Sequence, residues 1–218
     1  MLTFALSKGR LADSIFKMLK ELNICDVTIA DDDRRLIIES SDGAYRFFLA
    51  KPSDVPTFVD YGVADLGVVG KDTILEENRD VSEMLDLGFG KCTMCVCGIK
   101  GDDSYKNKTT LRVATKYPNI AKNYFESINQ NAIVIKLNGS VELAPITNLS
   151  DVIVDIVESG RTLKENGLEV KVPIVPLPAR LIVNHAPLKT KYDEINYIVN
   201  NLKNIIKRWS YDKRNWYY

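Results

Sequence analysis

Residues 151–168 bring two carboxylates, Asp155 and Glu158, up to a turn made of Ser159, Gly160, Arg161 and Thr162. The run Val152, Ile153, Val154, Ile156, Val157 is β-branched and short, and reads as a buried strand that ends at Ser159-Gly160. Residues 161–166 favour a helix that stops at Gly167. A strand, tight turn and helix in that order gather backbone N–H groups at one point, and Ser159 and Thr162 add hydroxyls, which suits a phosphate. Carboxylates beside the cradle repel phosphate but accept hydrogen bonds from sugar hydroxyls, so the pattern fits a ribose 5-phosphate. No Walker-type Gly-Lys-Ser/Thr occurs to suggest a triphosphate loop. The same residues also fit an ordinary strand-to-helix turn with a solvated Glu and a capping Ser, so the motif alone leaves both readings open.

Cations with a related placement lie far away in the sequence. Leu2, Phe4 and Leu6 alternate with Thr3, Ala5 and Ser7 as a strand, and Lys8-Gly9-Arg10 follow, just ahead of a helix carrying Leu11, Ile15, Met18, Leu19 and Leu22 on one face. Basic residues oppose the dipole at a helix N-terminus unless an anion sits between them, so Lys8 and Arg10 are anion-binding candidates; the alternative is a pair of surface cations. Residues 34–50 read as a hairpin turning at Ser41-Asp42-Gly43, and it delivers Lys51, which Pro52 holds extended. Ser53 or Asp54 is expected to cap a short helix with Pro56 in its first turn. A second buried strand over residues 64–70 ends at Gly70, where another strand-to-helix turn forms, with Asp72 expected to cap a helix over 73–77.

The chain has 218 residues, 45% of them hydrophobic, enough for one large or two small cores. Lys plus Arg and Asp plus Glu number 29 each, so net charge makes no case for nucleic acid or an anionic membrane. Neither a signal-peptide pattern nor a run of about 18 apolar residues is present, which reads as a cytoplasmic soluble protein. Cys92, Cys95 and Cys97 share one strand-like run and lack a second ligand pair, with only distant Cys25 and His185 to join them. They read as packed, reduced thiols.

Further strands are expected at 91–99, 111–115 and 133–137, and helices at 118–128, 141–147 and 193–208. Residues 169–184 are β-rich but contain Pro173, Pro176 and Pro178, which points to an edge strand or a crossover between lobes. The tail from Arg208 to Tyr218 is basic and aromatic, and a packed or frayed terminus is expected. Alternating strands and helices imply an α/β fold that binds ligands at the carboxyl ends of strands. The expected arrangement is two-lobed, with residues 1–88 and 180–218 in one lobe and 89–179 in the other.

Several blocks in order resemble one family: Ala5-Leu6-Ser7-Lys8-Gly9-Arg10-Leu11, Asp54-Val55-Pro56-Thr57, residues 62–72, Arg112-Val113-Ala114-Thr115-Lys116-Tyr117-Pro118, residues 137–145, and the turn at 151–168. Together they resemble the short-form catalytic subunit of ATP phosphoribosyltransferase, the enzyme opening histidine biosynthesis. The resemblance implies a bilobed fold like that of type II periplasmic binding proteins, with the site in the cleft between lobes. It also implies Mg²⁺-dependent chemistry, absence of a C-terminal regulatory domain, a catalytic homodimer, and a separate regulatory subunit similar to histidyl-tRNA synthetase.

The implied reaction joins ATP and 5-phosphoribosyl 1-pyrophosphate, giving N1-(5-phosphoribosyl)-ATP and pyrophosphate. Adenine N1 already has a lone pair, so the burden is positioning and stabilising charge on the leaving group. The 5-phosphate is assigned to Glu158, Ser159, Gly160, Arg161 and Thr162, and the ribose hydroxyls to Asp155. The pyrophosphate or ATP phosphates go to Lys8, Arg10 and Lys51; Gly70 and Glu142 join the substrate-binding set. Mg²⁺ is expected on substrate oxygens and water, without a carboxylate cage. Glu142 also fits a first-turn helix charge, and Arg112 a strand-start cation. His185 reads as structural. Two rivals remain: a non-catalytic small-molecule-binding module of the same fold, and a purine- or orotate-type phosphoribosyltransferase, which would leave the other blocks unexplained.

Overall fold

The structure, a computed structural model, describes residues 1–27 and 35–215, with side chains to Trp209. Residue 34 of the expected hairpin, and the side chains of the tail past Trp209, lie outside the described residues. Two compact units divide the chain: residues 1–90 with 178–218, and residues 91–177.

The first unit runs β1 (Leu2–Ser7), α1 (Arg10–Glu21), β2 (Ile37–Glu39), β3 (Tyr45–Ala50), α2 (Val55–Asp60), β4 (Leu66–Gly70), α3 (Lys71–Glu77) and β5 (Ser82–Asp86). The second runs β6 (Thr93–Ile99), β7 (Thr110–Thr115), α4 (Pro118–Ser127), β8 (Asn131–Lys136), α5 (Leu143–Ile146), β9 (Val152–Val157), α6 (Arg161–Glu165) and β10 (Leu168–Pro176). The chain then returns to the first unit with β11 (Ala179–Val183), α7 (Pro187–Thr190) and α8 (Tyr192–Asn215).

The first sheet has the order β2-β3-β1-β4-β11-β5. Within it β3, β1 and β4 are parallel neighbours, while β11 runs antiparallel to both β4 and β5. The apolar stripe of α1, namely Ala12, Ile15, Phe16, Met18 and Leu19, packs on one face with Ile195, Ile198, Val199, Leu202 and Ile205 of α8. Phe47 anchors this layer, stacked 5.2 Å from Phe4 and edge-on to Phe16 at 4.9 Å. On the other face Val55 and Val59 of α2 meet Ala5, Val69 and Ile182. Gly67 permits this approach: a Cβ there would lie 2.7 Å from Val59 and 3.0 Å from Ile182. The tail begins by packing, since Trp209 Nε1 donates to Glu21 at 3.2 Å and Lys17 lies 5.7 Å above the indole.

The second sheet has the order β10-β6-β9-β7-β8, with β9, β7 and β8 parallel. Its core on the side of α5 and α6 contains Cys95, Cys97, Ala114, Ala144, Ile153 and Leu163. The part of the proline-bearing stretch that forms β10 lies at an edge: among the described residues β10 pairs only with β6, and its register slips between Val170 and Val172 and between Pro173 and Val175, while β11 lies inside the first sheet. All four cysteines are free thiols. Among the described residues no helix is long and apolar enough to cross a membrane.

Three local expectations are corrected. Asp72 does not cap α3, which starts one residue before it at Lys71, with Gly70 as N-cap and no side-chain cap. Neither Ser53 nor Asp54 caps α2 through its side chain, because Pro52–Asp54 form a 3₁₀ turn that feeds the helix directly. The strand β5 and the short α7 carry no periodic pattern of their own and were not expected.

Candidate functional site

In the first unit the parallel order β3-β1-β4 brings the carboxyl ends of three strands side by side. Lys51 follows β3, Lys8 follows β1, and Gly70 ends β4. The Lys8 N–H donates to the Ala50 carbonyl at 3.2 Å, so the two lysines leave adjacent strands at the same level. Gly9 then turns the chain with φ 95°, a conformation other residues rarely adopt, and Arg10 opens α1. Both lysines are exposed, and among the described residues neither has an anionic partner. Two unpaired ammonium groups so placed concentrate positive charge at the strand ends. Gly70 differs, because the Asp72 carboxylate folds over it closely enough that a Cβ there would collide. The next cation, Lys71, is consumed in an ion pair with Glu83, which also accepts from Arg180 Nε at 2.8 Å. Burial alone would raise Glu83, yet Lys71 and Arg180 outweigh it and hold the carboxyl below its ordinary range.

In the second unit the turn after β9 is solvent-facing: Glu158, Ser159, Arg161 and Thr162 are exposed. Gly160 has φ 70°, which lets the chain enter α6 at once. The first intrahelical bond runs from Lys164 N–H to the Gly160 carbonyl at 3.1 Å, leaving the amides of Gly160 and Thr162 ahead of it. Ser159 Oγ accepts the Arg161 N–H at 3.4 Å, a long bond that a better acceptor would displace. The Arg161 guanidinium points along the helix to Glu165 at 2.7 Å, so this residue contributes its backbone rather than its charge to the turn.

Asp155 lies on β9 opposite Cys95, and Glu142 precedes α5 on the same face. Burial raises the Asp155 carboxyl above the usual range; the Ile156 N–H draws it down, the Glu142 charge pushes it up, and Lys116 draws it down. The neighbouring Cys97 thiol is pushed up to about 12 by burial, with Cys95, Asp155 and Glu142 adding to the effect, so it remains a thiol and not a nucleophile. Two carboxylates on one face of the second sheet thus lie on the strand and loop that lead to or flank an amide-and-hydroxyl turn. Such a pairing accepts hydrogen bonds from vicinal hydroxyls while donating to a phosphate.

Two residues behave otherwise than a ligand site requires. Arg112 is bound in the fold: its amide and guanidinium both meet Asp151 at 2.8 Å, and it donates to the Asn148 carbonyl at 2.9 Å. His185 bridges Asp80 at 3.1 Å and Ser82 at 3.3 Å on the surface. A cation that sequence reasoning did not single out, Lys116, acts on Asp155 electrostatically. It sits inside a block that the resemblance already covered, but only strand register reveals its neighbour.

The sequence model described as HisG: ATP phosphoribosyltransferase matches residues 51–204. The chain belongs to the ATP phosphoribosyltransferase family. ATP phosphoribosyltransferase of Caldicellulosiruptor bescii is 53% identical over 209 residues, covering 95% of this chain and 100% of that protein. That of Clostridioides difficile is 54% identical over 198 residues, covering 91% and 95%. Among solved structures, the ATP phosphoribosyl transferase (HisG:HisZ) complex from Thermotoga maritima aligns with TM-score 0.80 and 35% identity, over 95% of this chain and 100% of that one. A lysine-bound ABC-transporter binding component from Wolinella succinogenes shares the fold at TM-score 0.60 and 14% identity, over 97% and 92%. As a member of the ATP phosphoribosyltransferase family the chain is a phosphoribosyltransferase with the type II periplasmic-binding-protein fold.

Proposed function

We propose that the two sets of residues carry the two halves of the family reaction, in which adenine N1 of ATP displaces pyrophosphate from 5-phosphoribosyl 1-pyrophosphate. This is the first step of L-histidine biosynthesis. The observation that carries the residue assignment is the half-buried Asp155 carboxylate just ahead of the exposed turn at Glu158–Thr162. Asp155, aided by Glu142, accepts hydrogen bonds from the ribose hydroxyls. The amides of Gly160, Arg161 and Thr162 and the hydroxyls of Ser159 and Thr162 donate to the 5-phosphate, while Glu158 frames the turn. A five-residue helix contributes little dipole, so donors rather than the helix do the binding.

Lys8, Arg10 and Lys51, with the backbone at Gly70, hold the pyrophosphate or ATP phosphates. Bond breaking at the anomeric carbon moves negative charge onto the departing oxygen, and nearby ammonium groups stabilise that charge more in the transition state than in the ground state. The nucleophile needs no general base, which matches a site whose carboxylates bind sugar and whose cysteines stay protonated.

Among the described residues no group of three or more His, Cys, Asp or Glu side chains is placed to hold a metal ion. Mg²⁺, a small hard cation that keeps its waters, arrives on the diphosphate of the substrate. By family likeness the chain forms a homodimer, works in the cytoplasm, and assembles with a HisZ-like, histidyl-tRNA-synthetase-like regulatory subunit. The test is incubation of the purified chain, alone and with such a subunit, with ATP, 5-phosphoribosyl 1-pyrophosphate, Mg²⁺ and pyrophosphatase. Appearance of N1-substituted adenine absorbance is expected. Ligand binding without product would reduce the chain to a binding module.

A further inference from the structure

Asp155 and Glu158 lie in and just after the strand that leads into a turn assigned above to a phosphorylated sugar, and Glu142 acts on Asp155, so a dianion there needs a cation nearby. The cations one would try first are engaged: Arg161 with Glu165, and Lys108 and Arg112 with Asp151 ahead of β9. Lys116 is different. It follows β7, which pairs in parallel with β9 through Thr115 and Val154, so continuing the register sets Lys116 beside Asp155. The backbone around it is held from both sides. Thr115, fully buried, donates its hydroxyl to the Val154 carbonyl at 2.6 Å and accepts the Tyr117 N–H at 2.8 Å. Its carbonyl accepts the Leu137 N–H at 2.9 Å from the strand on the other side. Lys116 is itself exposed, and among the described residues its side chain has no hydrogen-bond or ion-pair partner. A cation on a fixed backbone beside a half-buried carboxylate is what a pre-organised anion contact requires.

We propose that Lys116 is a further substrate-binding residue, its ammonium holding an anionic oxygen of 5-phosphoribosyl 1-pyrophosphate next to the ribose that Asp155 grips. The assignment rests on the phosphoribosyl reading of the turn. Lys116 also compensates the repulsion that Asp155 and Glu142 exert on the incoming phosphate, so one side chain lets a carboxylate-bearing face accept a polyanion. Lys136, at the end of β8 and opposite Thr115, is also exposed but lies one strand farther from β9, and serves as a control.

The experiment measures calorimetric binding of Mg²⁺-loaded 5-phosphoribosyl 1-pyrophosphate to the full chain, together with steady-state kinetics. Lys116→Met is expected to weaken binding and raise KM for that substrate roughly 10- to 100-fold, the range for a charge-assisted hydrogen bond, with KM for ATP unchanged. Lys116→Arg should recover most of the loss, and Lys136→Met should bind within about 2-fold of the unsubstituted chain. The loss should persist in an Asp155→Asn background; its disappearance there would mean that Lys116 only tunes Asp155, and would overturn the contact. Unaltered binding in Lys116→Met would also overturn it. If the unsubstituted chain binds the sugar diphosphate in a Lys116-dependent way yet forms no product with ATP, Lys116 stands and the transfer reading falls. If it does not bind at all, both fall.

Discussion

Replacing Asp155 with Asn should push stability and activity in opposite directions. The carboxyl is half-buried and feels the Glu142 charge; desolvation raises it above its ordinary range, with the Ile156 N–H and Lys116 only partly offsetting this. A carboxylate whose folded value is raised costs stability when ionised. That cost is absent while pH is below the unfolded value, 3.8, and grows as pH rises through the folded one. An amide of the same shape never ionises, so Asp155→Asn should be more resistant to urea at neutral pH, and its advantage should shrink as pH falls toward 4. For function the sign reverses. Two ribose hydroxyls donating to a carboxylate form charge-assisted bonds, each stronger than a neutral one by about 1 kcal/mol, so their loss amounts to about 2 kcal/mol. That corresponds to a roughly 30-fold fall in kcat/KM for 5-phosphoribosyl 1-pyrophosphate. Urea midpoints at neutral and mildly acid pH, paired with initial rates at varied sugar diphosphate and saturating ATP, read both effects. A variant less stable than its parent at neutral pH would refute the burial argument, and an unchanged kcat/KM would refute the ribose contact.

Lys51→Ala should lower kcat by roughly 30- to 1000-fold, the equivalent of about 2 to 4 kcal/mol of leaving-group stabilisation. Because Lys51 is exposed and unpaired among the described residues, the urea midpoint should barely move. Gly67→Ala should cost about 1 to 3 kcal/mol of stability, since its Cβ would press on Val59, Ile182 and Val55; a stability equal to the parent's would show that α2 moves freely. Burial alone would raise Asp151, but hydrogen bonds from Arg112 and Lys108 hold it at about 2 against an ordinary 3.8. The depressed value means a contribution present above pH 3.8 and lost as pH falls toward 2. Allowing for the half-exposed partners, Asp151→Asn should remove about 1 to 2 kcal/mol at neutral pH, with the difference closing in acid.

The long elements were legible because their patterns are their own. The stripe of α1 and the β-branched run of β9 announce themselves in sequence, and Gly160 marks the turn between β9 and α6 by the left-handed backbone it supplies. The strand β5 was not legible, since Ser82, Glu83, Met84, Leu85 and Asp86 neither alternate nor run apolar. It is extended because β11 pairs with it and because Glu83 is gripped by Lys71 and Arg180. Asp72 misled as a cap because a residue type favoured at that position says nothing about where the preceding strand stops. At the site, Asp155 and the turn could be read from spacing along one strand. Lys116 could not, because its relation to Asp155 exists only across strands, and parallel register is set by partners distant in sequence.

The place of β11 in the first sheet has a bearing on how the chain matures. It lies between β4 and β5, so two strands made early wait for one made after the whole second unit. During synthesis β5 has nothing to pair with until residues 179–183 emerge, whereas every strand of the second sheet is supplied by one unbroken stretch. The interrupted half is thereby the slower to consolidate, its closure depending on ring-forming contacts of long sequence separation. A ribosome-bound intermediate would carry all strands of the second sheet before the first sheet is closed.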